Sequence, residues 1–226
     1  MTHFAAAVFS DSPTYSAFCD LLEPYDENNE DFYIFEPVSD EELEKQWERF
    51  KEFNPSWKRS MWLKEMFTKR DDVYGHFYNP QGYYDYYSLD GKEYMYDLLP
   101  DVNEDDVDRW PLKSQLNWYE KDQNEKTEKQ LRKEWRKYSV EGDGFWSAEF
   151  YQKRYGDEET YVRQCMYPPM PHAFITPDGK WHSSGRVGWF CSSDDTAESV
   201  DRYYAEWRDF IDNAPDCYVS LIDCHI

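Results

Sequence analysis

HFAAAVF, residues 3–9, and DCYVSLIDCHI, residues 216–226, decide how this chain of 226 residues is read. In the first, apolar residues run continuously instead of alternating, which marks a strand buried on both faces. The second is a further apolar run at the opposite end of the sequence, a natural neighbour for the first. From this pair we expect an α+β (mixed α/β) fold. It comprises a small sheet containing the N- and C-terminal strands, packed by helices, with a Tyr-rich β insert region. The length suits one domain, 1–226, carrying an inserted helical and Tyr-rich subdomain at about 39–165.

Between these ends, helical signals are strongest where capping residues meet apolar periodicity. SPTYSAFCDLL reads as a short helix. SDEELEKQWERFKEF places Ser39 and Glu42 in capping-box spacing and Leu43, Trp47 and Phe50 on one face. Asn54 followed by Pro55 predicts that a second helix restarts there over SWKRSMWLKEMF. DQNEKTEKQLRKEWRKY reads as a solvated helix with basic residues near its C-terminus, and Gly142 and Gly144 break the chain after it. Asn103 before Glu104, Asp105 and Asp106 reads as another capped helix start. SDDTAESVDRYYAEWRDFIDNA sets Val200, Tyr203, Tyr204, Trp207, Phe210 and Ile211 at helical intervals, ended by Pro215.

Two stretches have β texture. VYGHFYNPQGYYDYYSLDGKEYMY, within 73–96, is dense in Tyr and punctuated by NP, QG and DG, predicting short strands and turns. Its rings either fill a small β-subdomain or form a protein-binding face, and both readings stay open. ITPDGKWHSSGRVGWF, 175–190, has the pattern of a hairpin: Pro177 and Asp178 suit the early turn positions and Gly179 supplies a positive φ.

The chain carries 47 acidic and 25 basic residues, a formal net charge of −22. From Met1 to Glu44 there is no Lys or Arg, while twelve carboxylates occur there, Glu23, Asp26, Glu27, Glu30 and Asp31 among them. Such a field repels nucleic acid and acidic membranes and steers the protein toward basic surfaces, so no direct nucleic-acid or membrane partner is expected. The mean hydropathy of −1.00 understates the apolar area, because 20 Tyr and 10 Trp score as polar. No apolar segment approaches the ~20 residues of a membrane span, and no secretion signal is apparent. The five cysteines, at 19, 165, 191, 217 and 224, form no CxxC pair and read as reduced thiols, mostly buried.

Several islands resemble a family encoded by many tailed bacteriophages and prophages: MTHF before a short apolar strand, LLEPYDEN at 21–28, NPQGYYDYYSLDG at 79–91, TPDGKWH at 176–182 with GWF at 188–190, and IDCHI at 222–226. Family members tend to carry a Gly-Gly-Arg-Trp-like motif where this chain has Tyr83 to Gly91 and Lys92. The resemblance implies a phage origin and a location in the host bacterial cytoplasm, and it transfers no catalytic residue.

Candidate chemistry is sparse. Asp178, Lys180, His182, Arg186 and Cys191 crowd one hairpin and would be the ligand site of an enzyme or nucleotide-sequestering protein, but no G-x-S-x-G elbow or phosphate-cradling glycine loop accompanies them. The histidines at 3, 76, 172, 182 and 225 are scattered relative to standard zinc spacing, so no metal and no cofactor is expected. The carboxylates at 101–108 lack an EF-hand frame and read as an acidic helix start. The expected function is therefore stoichiometric binding without catalysis. It would be that of a phage inhibitor of a host protein complex with a basic, DNA-binding surface, such as a Gabija-type nuclease and ATPase. Acids at 23, 26, 27, 30 and 31 would steer, and Tyr83, Tyr84, Tyr86 and Tyr87 would anchor. Self-association into a homo-oligomer is expected from the same aromatic content.

Overall fold

The computed structural model describes residues 2–88, 110–119, 126–188 and 193–226. The expected helix start at Asn103, the carboxylates at 101–108, the end of the Tyr-rich stretch, Phe190 and Cys191 lie outside the described residues.

The two apolar runs that open the reading are adjacent strands. β1 (His3–Ser10) pairs antiparallel with β8 (Tyr218–His225) over its whole length, from His3↔His225 to Ser10↔Tyr218. β1 also pairs in parallel with β6 (Ala173–Ile175), so it is hydrogen-bonded on both edges as well as buried on both faces. β7 (Trp181–Ser183) and β5 (Tyr86–Ser88) complete a five-stranded mixed sheet in the order β5-β8-β1-β6-β7. The fold is thus α+β, with the terminal strands together in the sheet.

The chain divides into two compact units, 1–23 with 83–226, and 24–82. In the first unit, α7 (Ala197–Asn213) covers one sheet face. Its Tyr203, Trp207 and Ile211 pack with Ala7, Phe9, Phe174, Val219 and Leu221. Thr196 caps the helix start by accepting from the Ser199 amide. At the other end there is no basic residue in the last turn. The buried Lys113 substitutes, donating from Nζ to the carbonyls of Phe210, Ile211 and Ala214 at 3.0, 3.0 and 2.7 Å. α1 (Tyr15–Leu22) lies against β1 and buries Phe18 and Leu22.

The same unit holds a three-helix group: α4 (Glu128–Ser139), α5 (Ala148–Tyr155) and α6 (Glu158–Cys165) around Leu131, Trp135, Tyr161 and Val162. Thr127 and Gln130 form the capping box of α4, whose last turn holds Arg136 and Lys137. α6 is tied to α7 through Asp201, whose carboxylate accepts from Arg163, Gln164 and the Tyr167 hydroxyl. Burial pushes that carboxyl up, but these donors outweigh it and hold it below the usual range.

The second unit is a three-stranded antiparallel sheet, β2 (Ile34–Pro37), β4 (Val73–Tyr78) and β3 (Thr68–Arg70) in the order β2-β4-β3, packed by α2 (Asp40–Phe53) and α3 (Arg59–Met66). Its core is Leu43, Trp47, Trp62, Leu63 and Phe67. Ser39 caps α2 by accepting from the Glu42 amide. The helix expected to restart at Asn54-Pro55 does not. The amide and Nδ2 of Asn54 both donate back to the Phe50 carbonyl and so close α2. α3 begins four residues later than Pro55, after Lys58, without a side-chain cap. The backward bonds occupy the residue that was to start the new helix.

Candidate functional site

The hairpin forms as expected, with Phe174 opposite His182. The Gly179 amide donates to the Thr176 carbonyl at 2.8 Å, the Thr176 amide to that of Lys180 at 3.0 Å, and Gly179 adopts φ 81°. The Thr176 hydroxyl donates to the Asp178 carboxylate and holds it below the ordinary carboxylate range. Asp178 is therefore a turn-stabilising acceptor. His182 stacks flat on the buried Phe174 ring, centroids 4.5 Å apart at 4°, and its Nδ1 donates to Glu206 of α7 at 3.0 Å. Only 14% of its side chain is exposed. Lys180 is exposed at the turn. Arg186 lies with its guanidinium 5.0 Å from the Tyr83 ring, which stacks on Trp181 at 4.6 Å and 13°. Their principal side-chain contacts differ, although Asp178 is also held down by the Lys180 backbone across the turn and by the charge of His182.

The hairpin's exit is fixed by further polar contacts. Ser184 donates to Asp195 at 2.8 Å and the Arg186 amide to Asp194 at 2.6 Å. Gly185 fits between these carboxylates, where a Cβ would collide with both. His172 reaches the Gly185 carbonyl through Nε2, and burial pushes its pKa down.

The tyrosines proposed as anchors separate. Tyr84 is completely buried and its hydroxyl donates to the Leu22 carbonyl at 2.6 Å. It belongs to the core, and its expected place on a partner-binding face is corrected: a ring that follows the turn into β5 is covered by the α1 end of the first unit. Tyr87 is partly buried, with its hydroxyl on Cys19 Sγ at 3.2 Å. Tyr83 is partly buried in the Trp181 stack. Tyr86 projects outward with 53% exposure.

The acidic segment is an ordered loop. Glu23 is exposed in a single 3-10 turn, Glu23–Tyr25. Asp26 Oδ1 accepts from the Asn28 amide at 2.8 Å, and Asn29 Oδ1 accepts from that of Asp31 at 3.1 Å, two Asx turns in succession. Beneath them the buried Asn79 donates from Nδ2 to the carbonyls of Pro24 and Asp26 at 2.8 and 2.9 Å. Gly82 is required here, since a Cβ would strike the Glu27 backbone. On this platform Glu27, Glu30 and Asp31 are exposed, followed by Phe32 and Ile34, which are exposed as well.

A fourth group escaped the sequence reading. Strand register brings His3 opposite His225 and Tyr86 opposite His225 on its other side. His225 Nδ1 donates to Asp85 at 2.5 Å, and His3 Nδ1 to Asp223 Oδ2 at 3.0 Å. The two imidazoles meet edge to face at 5.1 Å. Positions 3, 85, 223 and 225 share no local motif, and the pairing of the terminal strands is the one signal that joins them. Among the described residues no group of three or more His, Cys, Asp or Glu is placed to hold a metal ion. No helix among them is long and apolar enough to cross a membrane. Comparison with protein-family models, with curated proteins and with solved structures finds no match to this chain.

Proposed function

We propose that the protein acts by stoichiometric binding to a basic surface of another protein, through the loop at 26–32. The observation that supports this is the pairing of exposed Glu27, Glu30 and Asp31 with exposed Phe32 and Ile34 on a backbone fixed by Asn79. Carboxylates steer a basic surface into contact, adjacent rings and aliphatic chains supply the anchor, and a preformed loop lowers the ordering cost of association. With the resemblance to a tailed-phage family, the partner we infer is a DNA-processing immune complex of the host, of the Gabija type, whose DNA-binding face is basic.

The test is cleavage by a purified Gabija-type nuclease and ATPase complex, titrated with this protein. Inhibition should saturate at a fixed molar ratio. It should be lost in the triple variant Glu27→Lys, Glu30→Lys, Asp31→Lys and retained in His182→Ala. Loss of inhibition in His182→Ala with the fold intact, or inhibition far below stoichiometric dose, would instead establish an enzyme working at the hairpin. Asp26 is left unchanged in the triple variant because its carboxylate closes an Asx turn.

A further inference from the structure

The cluster at the end of the five-stranded sheet has an unbalanced hydrogen-bond inventory. A carboxylate only accepts, so both Asp85 and Asp223 require the Nδ1 proton of their histidine. In a ring that carries this one proton, Nε2 of His225 keeps a lone pair. It is buried without a partner, and so is Asp223 Oδ1, the second oxygen of the carboxylate that holds His3. Asp223 and His225 lie two residues apart on β8 and therefore share one sheet face. Two buried acceptors on one sheet face, each without a hydrogen-bond partner among the described residues, match a ligand that brings N–H groups and positive charge. Tyr86, directly opposite His225 on β5, adds an exposed ring 5.5 Å from the imidazole, suited to a cation over its face. A metal ion fits less well, because no third ligand is in place among the described residues.

We propose that His225, Asp223 and Tyr86 form a site for one organic cation bearing N–H donors, an alkylguanidinium or alkylammonium group. The two rings against His225 reach solvent, Tyr86 being 53% exposed and the His3 side chain 39% exposed. The inference extends the reading of the protein as a binder of basic surfaces: such a site would take one arginine or lysine side chain. The same chemistry is presented by a free polyamine.

The experiment follows the imidazole nitrogens of the full chain, labelled with ¹⁵N, while methylguanidinium chloride is added at constant ionic strength. His225 Nε2 should shift saturably. Asp223→Asn should weaken the response about tenfold, as expected for loss of a charge-assisted contact. Tyr86→Ala, which removes an exposed ring and leaves the core untouched, should weaken it several-fold, about 3-fold or more. Acetyl-glycyl-arginyl-glycinamide and spermidine are then compared. Tighter binding of the peptide assigns the site to a protein side chain, and tighter binding of spermidine assigns it to a free amine. The proposal is overturned if the shift is linear and matched by sodium chloride, if neither variant weakens it, or if Zn²⁺ saturates the resonance while methylguanidinium leaves it unmoved. The acidic loop contributes no residue to this site, so the triple loop variant should shift like the parent whether or not the loop binds its partner.

Discussion

Replacing Lys113 with methionine tests how α7 is held against the sheet. The side chain is 5% exposed, and its ammonium group has three donors that meet three carbonyls. Methionine retains much of the packed length and removes every donor. The Phe210 carbonyl keeps a second partner, the Ala214 amide at 3.1 Å, which leaves the Ile211 and Ala214 carbonyls to bear the loss. A buried acceptor left unsatisfied costs about 1–3 kcal/mol, so the two give roughly 2–6 kcal/mol. Relief from burying an ammonium ion offsets part of this, and a net loss of about 2–4 kcal/mol is expected. For a chain of this size that corresponds to a fall of roughly 4–16 °C in melting temperature. Thermal unfolding followed by far-UV circular dichroism measures it, with hydrogen exchange at the end of α7 as the local readout. A Lys113→Met protein that melts within about 1 °C of the parent, with unchanged exchange there, would refute the assignment of Lys113 as the cap of α7.

Two further outcomes follow from buried groups. Tyr84→Phe removes the donor to the Leu22 carbonyl and should lower stability by about 1–2 kcal/mol in urea titration while leaving partner binding intact; a stable variant with impaired binding would return Tyr84 to the interface. Burial pushes the Cys217 thiol up to about 11, whereas an unfolded thiol ionises near ~8.5. Between these values the unfolded chain has released a proton that the folded chain retains, so stability should fall as pH rises from about 8.5 to 11. Cys217→Ala should flatten that part of the profile, and an unchanged slope would rule out Cys217 as its source.

The parts of this fold legible in the sequence are those where one local signal sufficed. Continuous apolar runs at 3–9 and 216–226 announced strands that needed cover on both faces, and α2 and α7 combine a capping residue with a regular apolar stripe. The Pro177-Asp178-Gly179 turn was readable for the same reason, because its chemistry lies within four residues. α5 was not legible: it has no buried residue, and its exposed Phe150 breaks any stripe. Asn54 misled because an Asn beside a Pro serves either end of a helix, and the choice was made by the Phe50 carbonyl behind it. Among candidate site residues, the identity of His182 suggested chemistry, but its role comes from register with Phe174 and from Glu206 on a distant helix. The His3, Asp85, Asp223 and His225 group depends wholly on register across three strands, information that no window of sequence contains.

Stoichiometric binding, as proposed above, would draw on groups that the fold leaves exposed. Inside the first unit several polar side chains hold the fold together: His182 bonds Glu206, Tyr203 the Pro171 carbonyl and Lys113 the end of α7. Cations near the surface are largely gathered by the chain's own acids, as Arg132 is by Glu128, Glu158 and Glu159. Each such exposed pair adds little stability, but neutralising the cations locally leaves the excess of carboxylates to set the long-range field. In the proposed binding, charge of one sign on a loop whose backbone is already bonded in place would act at the stage of encounter and be weakened by salt. In that binding the exposed Phe32 and Ile34 would act after contact, through burial that salt does not screen.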